Sequence, residues 1–176
     1  MKRASSYFVA LGEKLVTNYH LPSYNFAKRR YPWKLDIDYR KEPDKYRVGK
    51  GVHGVLICEP YKSELMPHWC FKTLESAENS STILYEMFEG YFKTGEFVGA
   101  DLARKFLQMG YNQARCYANY KGGIKDEKNQ DTALNEKGIS DSLKAESAAI
   151  FYRKWKEAEA HPHYAAHRKA WCETYG

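Results

Sequence analysis

At 176 residues, with 43% hydrophobic and 28% charged side chains, the chain has the make-up of one globular domain, neither disordered nor membrane-like in composition. Its formal net charge of +6 lies wholly in the first third. Residues 1–60 carry 12 Lys/Arg against 6 Asp/Glu, whereas 61–120 balance at −1 and 121–176 at +1. That asymmetry points to a polyanionic partner, nucleic acid ahead of an anionic membrane surface, with a solubilising surface as the competing account.

The opening stretch, MKRASSYFVALGEKLVTNYH, has a basic tip, but Glu13 and Lys14 interrupt its apolar run, so no export signal is read and a cytoplasmic location is expected. No apolar run approaches the roughly 20 residues needed to span a bilayer, and no membrane partner is expected. Tyr7 to about Tyr19 reads as a short amphipathic helix weakened by Gly12. Residues 24–34, YNFAKRRYPWK, then mix cations with rings. Residues 1–34 are read as a basic aromatic arm.

Residues 35–39 (LDIDY) alternate apolar and polar with period two, as a half-buried strand does. The run YRVGKGVHGVLICEPYKSE reads as two strands around a glycine turn, ended by Pro60, and PHWCFKT (67–73) as a further extended piece. From Thr73 the pattern turns helical. Thr73 is placed to cap a helix that Gly95 stops. A second helix runs from Phe97 to Met109 with Gly110 as its terminator, and a third from Asn112 to Tyr120. Residues 122–140 are expected to form an exposed polar loop. Asp141 or Ser142 then caps a long helix carrying Leu143, Ala148, Phe151 and Trp155, which Pro162 interrupts before a last helical stretch. Strands gathered before helices predict an α+β fold. A small antiparallel sheet over about 35–73 would pack on a helical C-terminal half, making 35–176 a single domain.

Four constellations could carry chemistry. The turn GKGVHG (49–54) has glycines and Lys50 fit to cradle phosphate, but strand residues follow where a phosphate loop needs a helix. Lys50, His53 and His68 would line a pocket for a nucleotide or other phosphorylated substrate if they converged; otherwise the histidines serve packing. His163 and His167 stand four apart, yet no carboxylate completes a metal set. The cysteines (58, 70, 116, 172) show no CxxC pair and are expected to be reduced, mostly buried thiols, so no metal and no cofactor is predicted. Residues 97–123 read as helix, glycine turn, helix. That arrangement would display Arg104, Lys105, Gln113, Arg115 and Lys121 to nucleic acid, with ordinary helix packing as the alternative. In the arm, Lys28, Arg29, Arg30 and Lys34 interleave with Trp33 and other rings, a pattern suited to single-stranded nucleic acid.

Three blocks, YRVGKGVHGVLICEPYKSELMPHWCFKT, GEFVGADLARKFLQMGYNQARCYANYKGG and KAESAAIFYRKWKEAEAHPHY, together resemble an uncharacterised domain-of-unknown-function family of small proteins from bacteria, fungi and tailed phages. The resemblance spans about residues 33–165. It implies one compact domain and a phage or bacterial source, and it implies no activity. From the residues, the leading expectation is a small, basic, non-enzymatic protein that associates with nucleic acid. The alternatives are an enzyme using the Lys50, His53 and His68 pocket, and a module binding a protein partner through its helical half.

Overall fold

The computed structural model describes residues 32–120 and 141–176. Trp33–Gly176 forms one compact unit. Lys28, Arg29 and Arg30, the helix expected over 7–19, Lys121 and the polar loop expected over 122–140 lie outside the described residues.

The described chain is helical, and the α+β expectation is overturned: no strand forms among the described residues. After a 3-10 turn at Pro43–Lys45 come α1 (Tyr61–Leu65), a second 3-10 turn at Met66–His68, α2 (Leu74–Lys93) and α3 (Phe97–Asn119). The C-terminal part holds α4 (Ser142–Glu159) and α5 (Pro162–Tyr175). Asp38 and Glu59 meet in an isolated parallel bridge, and no antiparallel ladder exists over 35–73 among the described residues. The reason lies in where the backbone bonds go. His53 N–H donates to Lys50, Val55 to Val52, and Ile57 and Cys58 both to Gly54, so the segment closes on itself in turns. Gly51 and Gly54 take φ of 57° and 95°, which bends the chain where a strand would have run straight. The alternation of LDIDY is also no face, since Leu35 is 62% exposed.

The helix boundaries follow local chemistry. Thr73 Oγ1 accepts from the Ser76 amide at 3.1 Å while Ser76 Oγ accepts from the Thr73 amide at 2.9 Å, a reciprocal cap on α2. Gly95, with φ of 78°, follows its last turn. Asp141 caps α4 through the Lys144 amide, and Pro162 stands at the first turn of α5. His161 caps α5 by accepting from the Tyr164 amide. Leu143, assigned to the apolar face of α4, is 60% exposed.

The largest correction within the helical half concerns residues 97–123. They form no helix-turn-helix: α3 runs unbroken through Gly110, which was expected to end it. Phe151 of α4 crosses α3 there, and Gly110 is the notch that admits the ring. α3 packs against α1, α2, α4 and α5, and every residue from Phe97 to Leu107 is buried. The turn-rich segment is clasped to the bundle by Arg40. Its guanidinium makes a two-pronged pair with Glu64 at 2.7 and 2.8 Å and a third bond to Glu96 at 2.6 Å. No helix among the described residues is long and apolar enough to cross a membrane.

Candidate functional site

A helical stretch buried on all sides must neutralise any charge it carries, and the buried stretch of α3 from Phe97 to Leu107 carries three, Asp101, Arg104 and Lys105. Spacings of three and four residues put both cations on the side of the carboxylate. Asp101, 0% exposed, receives Tyr164 Oη on Oδ1 and Tyr46 Oη on Oδ2, each at 2.5 Å. Arg104 Nε and Nη2 lie 3.3 Å from Oδ1, and Lys105 Nζ lies 3.3 Å from Oδ2. Lys105, also 0% exposed, donates further to Tyr46 Oη at 2.9 Å and to the His53 carbonyl at 3.1 Å. Its three donors therefore have three acceptors. Burial alone would raise the Asp101 pKa, but the Lys105 and Arg104 charges and the two hydroxyls outweigh it and hold the carboxyl well below the usual range. Burial and the Asp101 charge push Tyr46 and Tyr164 up, so both hydroxyls stay protonated donors.

Above this network lies a cleft of about 340 Å³. Gly49 and Gly51 form one wall, and Arg104, Gln108 and Glu159 line the cleft beside them. The remaining wall is α5, through Tyr164, Ala165 and Arg168. Arg104 joins cleft to core: Nη1 reaches Gln108 Oε1 at 3.1 Å and Glu159 Oε1 at 3.4 Å while its other nitrogens face Asp101. Asp101 and Glu159 balance Arg104 and Lys105 in formal charge. Arg168 and Lys50 are exposed and form no ion pair among the described residues, so the net positive field at the cleft is theirs. The amides of Gly49, Lys50, Gly51 and Val52 likewise find no acceptor among the described residues.

The glycine segment is shaped by Trp33. Its indole nitrogen donates to the Arg47 carbonyl at 2.9 Å, and a Cβ on Gly49 would stand 2.4 Å from the ring. Lys105 Nζ lies 5.7 Å from the same ring's centroid, within cation–π range. The reading of residues 49–54 as a hairpin turn is thus replaced by a turn cluster laid over an indole at the edge of a cleft.

The structure disperses the other residues singled out from sequence. Trp33, Arg104, Lys105 and Gln113 are buried; Lys34 and Arg115 are exposed. Arg104 alone of these lines the cleft. Lys50 is exposed between two cleft glycines, His53 gives its carbonyl to Lys105, and His68 sits exposed on the 3-10 turn, outside the cleft lining. Of the cysteines only Cys58 is buried, where burial pushes its thiol up to about 12 and makes it a poor nucleophile; the other three are partly exposed, against expectation. No group of three His, Cys, Asp or Glu among the described residues could hold a metal ion. Sequence reasoning missed Asp101, Tyr46 and Tyr164. A usable signal was Asp101 standing three and four residues ahead of two cations inside the otherwise apolar stretch 97–107, a spacing that marks an internal ion pair.

A family model described as a domain of unknown function (DUF4385) matches residues 31–174. No curated protein and no solved structure matches the chain.

Proposed function

We propose that this chain, which belongs to the family described as a domain of unknown function, is a non-enzymatic module that associates with nucleic acid by holding backbone phosphate at the glycine-walled cleft. The supporting observation is the coincidence of unpartnered amides at Gly49–Val52 with the unpaired cations Lys50 and Arg168. Amides freed by a glycine turn and cations without counter-ions suit a phosphate oxygen better than a neutral group. The charge excess of residues 1–60 favours a polyanion over a single small anion. Arg104 and Lys105 serve as the internal counter-ions of Asp101 in this reading, and Lys50 and Arg168 take the phosphate.

The test is oligonucleotide binding across a salt series. Each cation on phosphate contributes about one unit to the slope of log affinity against log salt. Lys50→Gln with Arg168→Gln is expected to weaken binding at every sequence alike and to flatten the slope by about two. An unchanged slope removes the cleft from the interface, and no binding at low salt ends the reading.

A small phosphorylated ligand is the second reading, favoured by the cleft's volume, which falls within the range of ordinary ligand pockets. It predicts that a mononucleotide raises the melting temperature of the protein and competes with any oligonucleotide.

A further inference from the structure

Where α3 and α4 run side by side, three rings from distant positions gather at the surface. Tyr111 lies 5.3 Å from Tyr152 and 5.7 Å from Trp155, centroid to centroid, and Tyr152 and Trp155 lie 5.9 Å apart. Tyr152 is 43% exposed, and the other two rings are partly so. A hydrophobic contact with the core would have buried them. Instead the cluster carries charge on its open side. Lys156 Nζ stands 4.2 Å from the Trp155 centroid and 5.7 Å from that of Tyr152. Arg153 is exposed beside Tyr152, and Arg115 is exposed one turn beyond Tyr111 on α3.

The cluster is also continuous with the cleft. The Trp155 indole donates to Glu159 Oε1 at 2.9 Å, the same oxygen that Arg104 approaches from the cleft floor, and Lys156 pairs with Glu159 Oε2 at 2.8 Å. One carboxylate thus fixes a ring, an interior guanidinium and a surface ammonium.

We infer that Tyr111, Tyr152 and Trp155 form a base-stacking platform, and that the nucleic acid this protein takes is single-stranded. The inference rests on the nucleic-acid reading of the cleft and names the form of the ligand. A duplex hides its base faces and offers phosphates and groove edges, whereas an unpaired strand offers base faces and phosphates together. Rings flanked by Arg115 and Arg153, which form no ion pair among the described residues, at the edge of a phosphate-binding cleft match that second pattern. A protein partner would meet the same rings without needing the flanking cations.

The probe is a labelled 15-nucleotide oligo-dT, compared with a duplex of equal length, by fluorescence anisotropy at low salt. Oligo-dT is expected to bind more tightly than the duplex. Tyr152→Ala should weaken oligo-dT binding by roughly 5- to 150-fold while leaving duplex affinity and the salt slope unchanged, because stacking releases no counterions. Tyr152→Phe keeps the ring and should bind as the natural protein does, which separates loss of stacking from loss of folding. Equal affinity for the two nucleic acids, or a Tyr152→Ala protein that melts normally and binds oligo-dT fully, overturns the platform. In that case the cleft reading still stands if the Lys50 and Arg168 variants flatten the slope. Absence of any binding overturns both.

Discussion

Replacing Asp101 by Asn is expected to destabilise the domain by about 3–5 kcal/mol, the usual cost of stranding buried charge. The neutral amide would leave Lys105, with no exposure at all, and Arg104, nearly enclosed, facing each other without their shared carboxylate. It would also present an N–H₂ group to Tyr46 or Tyr164, both of which donate to that position. Against a total stability of about 5–15 kcal/mol such a loss is large, and urea unfolding followed by circular dichroism would register it as a lowered midpoint. Lys105→Met should cost less, because Asp101 keeps Arg104 and two hydroxyls. The double variant should fall short of the sum of the two, since each change removes the same pair. Acid titration gives an independent reading. Asp101 is held below its ordinary value of about 3.9, so its contribution is complete above that pH and is lost as the pH falls toward the depressed value. The natural protein should therefore lose stability more steeply below about pH 4 than Asp101→Asn does. Matching acid curves would mean that the carboxylate adds nothing to folding.

The second large effect is expected at Gly110. In an exposed helix, Gly→Ala gains about 1 kcal/mol. Here the new methyl would sit 2.4 Å from Phe151 Cδ1 and 2.5 Å from Cε1, and Phe151 is itself fully buried with nowhere to retreat. The α3–α4 crossing would have to open, and a net loss of about 1–3 kcal/mol is expected. Thermal melting of Gly110→Ala, Phe151→Leu and the pair checks it. The smaller ring-free side chain should make room for the methyl, so the pair should be more stable than the separate losses imply. A Gly110→Ala protein melting above the natural one would show that the close approach is not needed.

The same glycine marks where sequence reasoning stopped. Thr73, Gly95, Asp141 and Pro162 could be placed correctly because a cap or a stop depends on a few neighbouring residues. Gly110 was assigned the same terminating role because a helix-ending glycine and a helix-crossing glycine look alike without the ring that packs on it, 41 residues away in Phe151. The strands over 35–73 failed for a related reason. Val55 and Ile57 are buried as a strand would bury them, but local turns satisfy the backbone there. At the site, the glycines and Arg104 could be picked out by residue type. Their partners Tyr46 and Tyr164 could not, since nothing local distinguishes them from the chain's other tyrosines.

The partners of Asp101 also set an order on how the molecule comes into being. Tyr46 precedes the carboxylate by 55 residues and Tyr164 follows it by 63. While the chain is being synthesised, α3 emerges with its charges long before α5 exists to cover them. Water must solvate Asp101, Arg104 and Lys105 until then, and that keeps the central helix from sinking into a premature core. Closure has to wait for residue 164. The amides of α3 around this cluster are therefore expected to be among the slowest to exchange with solvent, since exposing them requires parting residues drawn from both ends of the described chain.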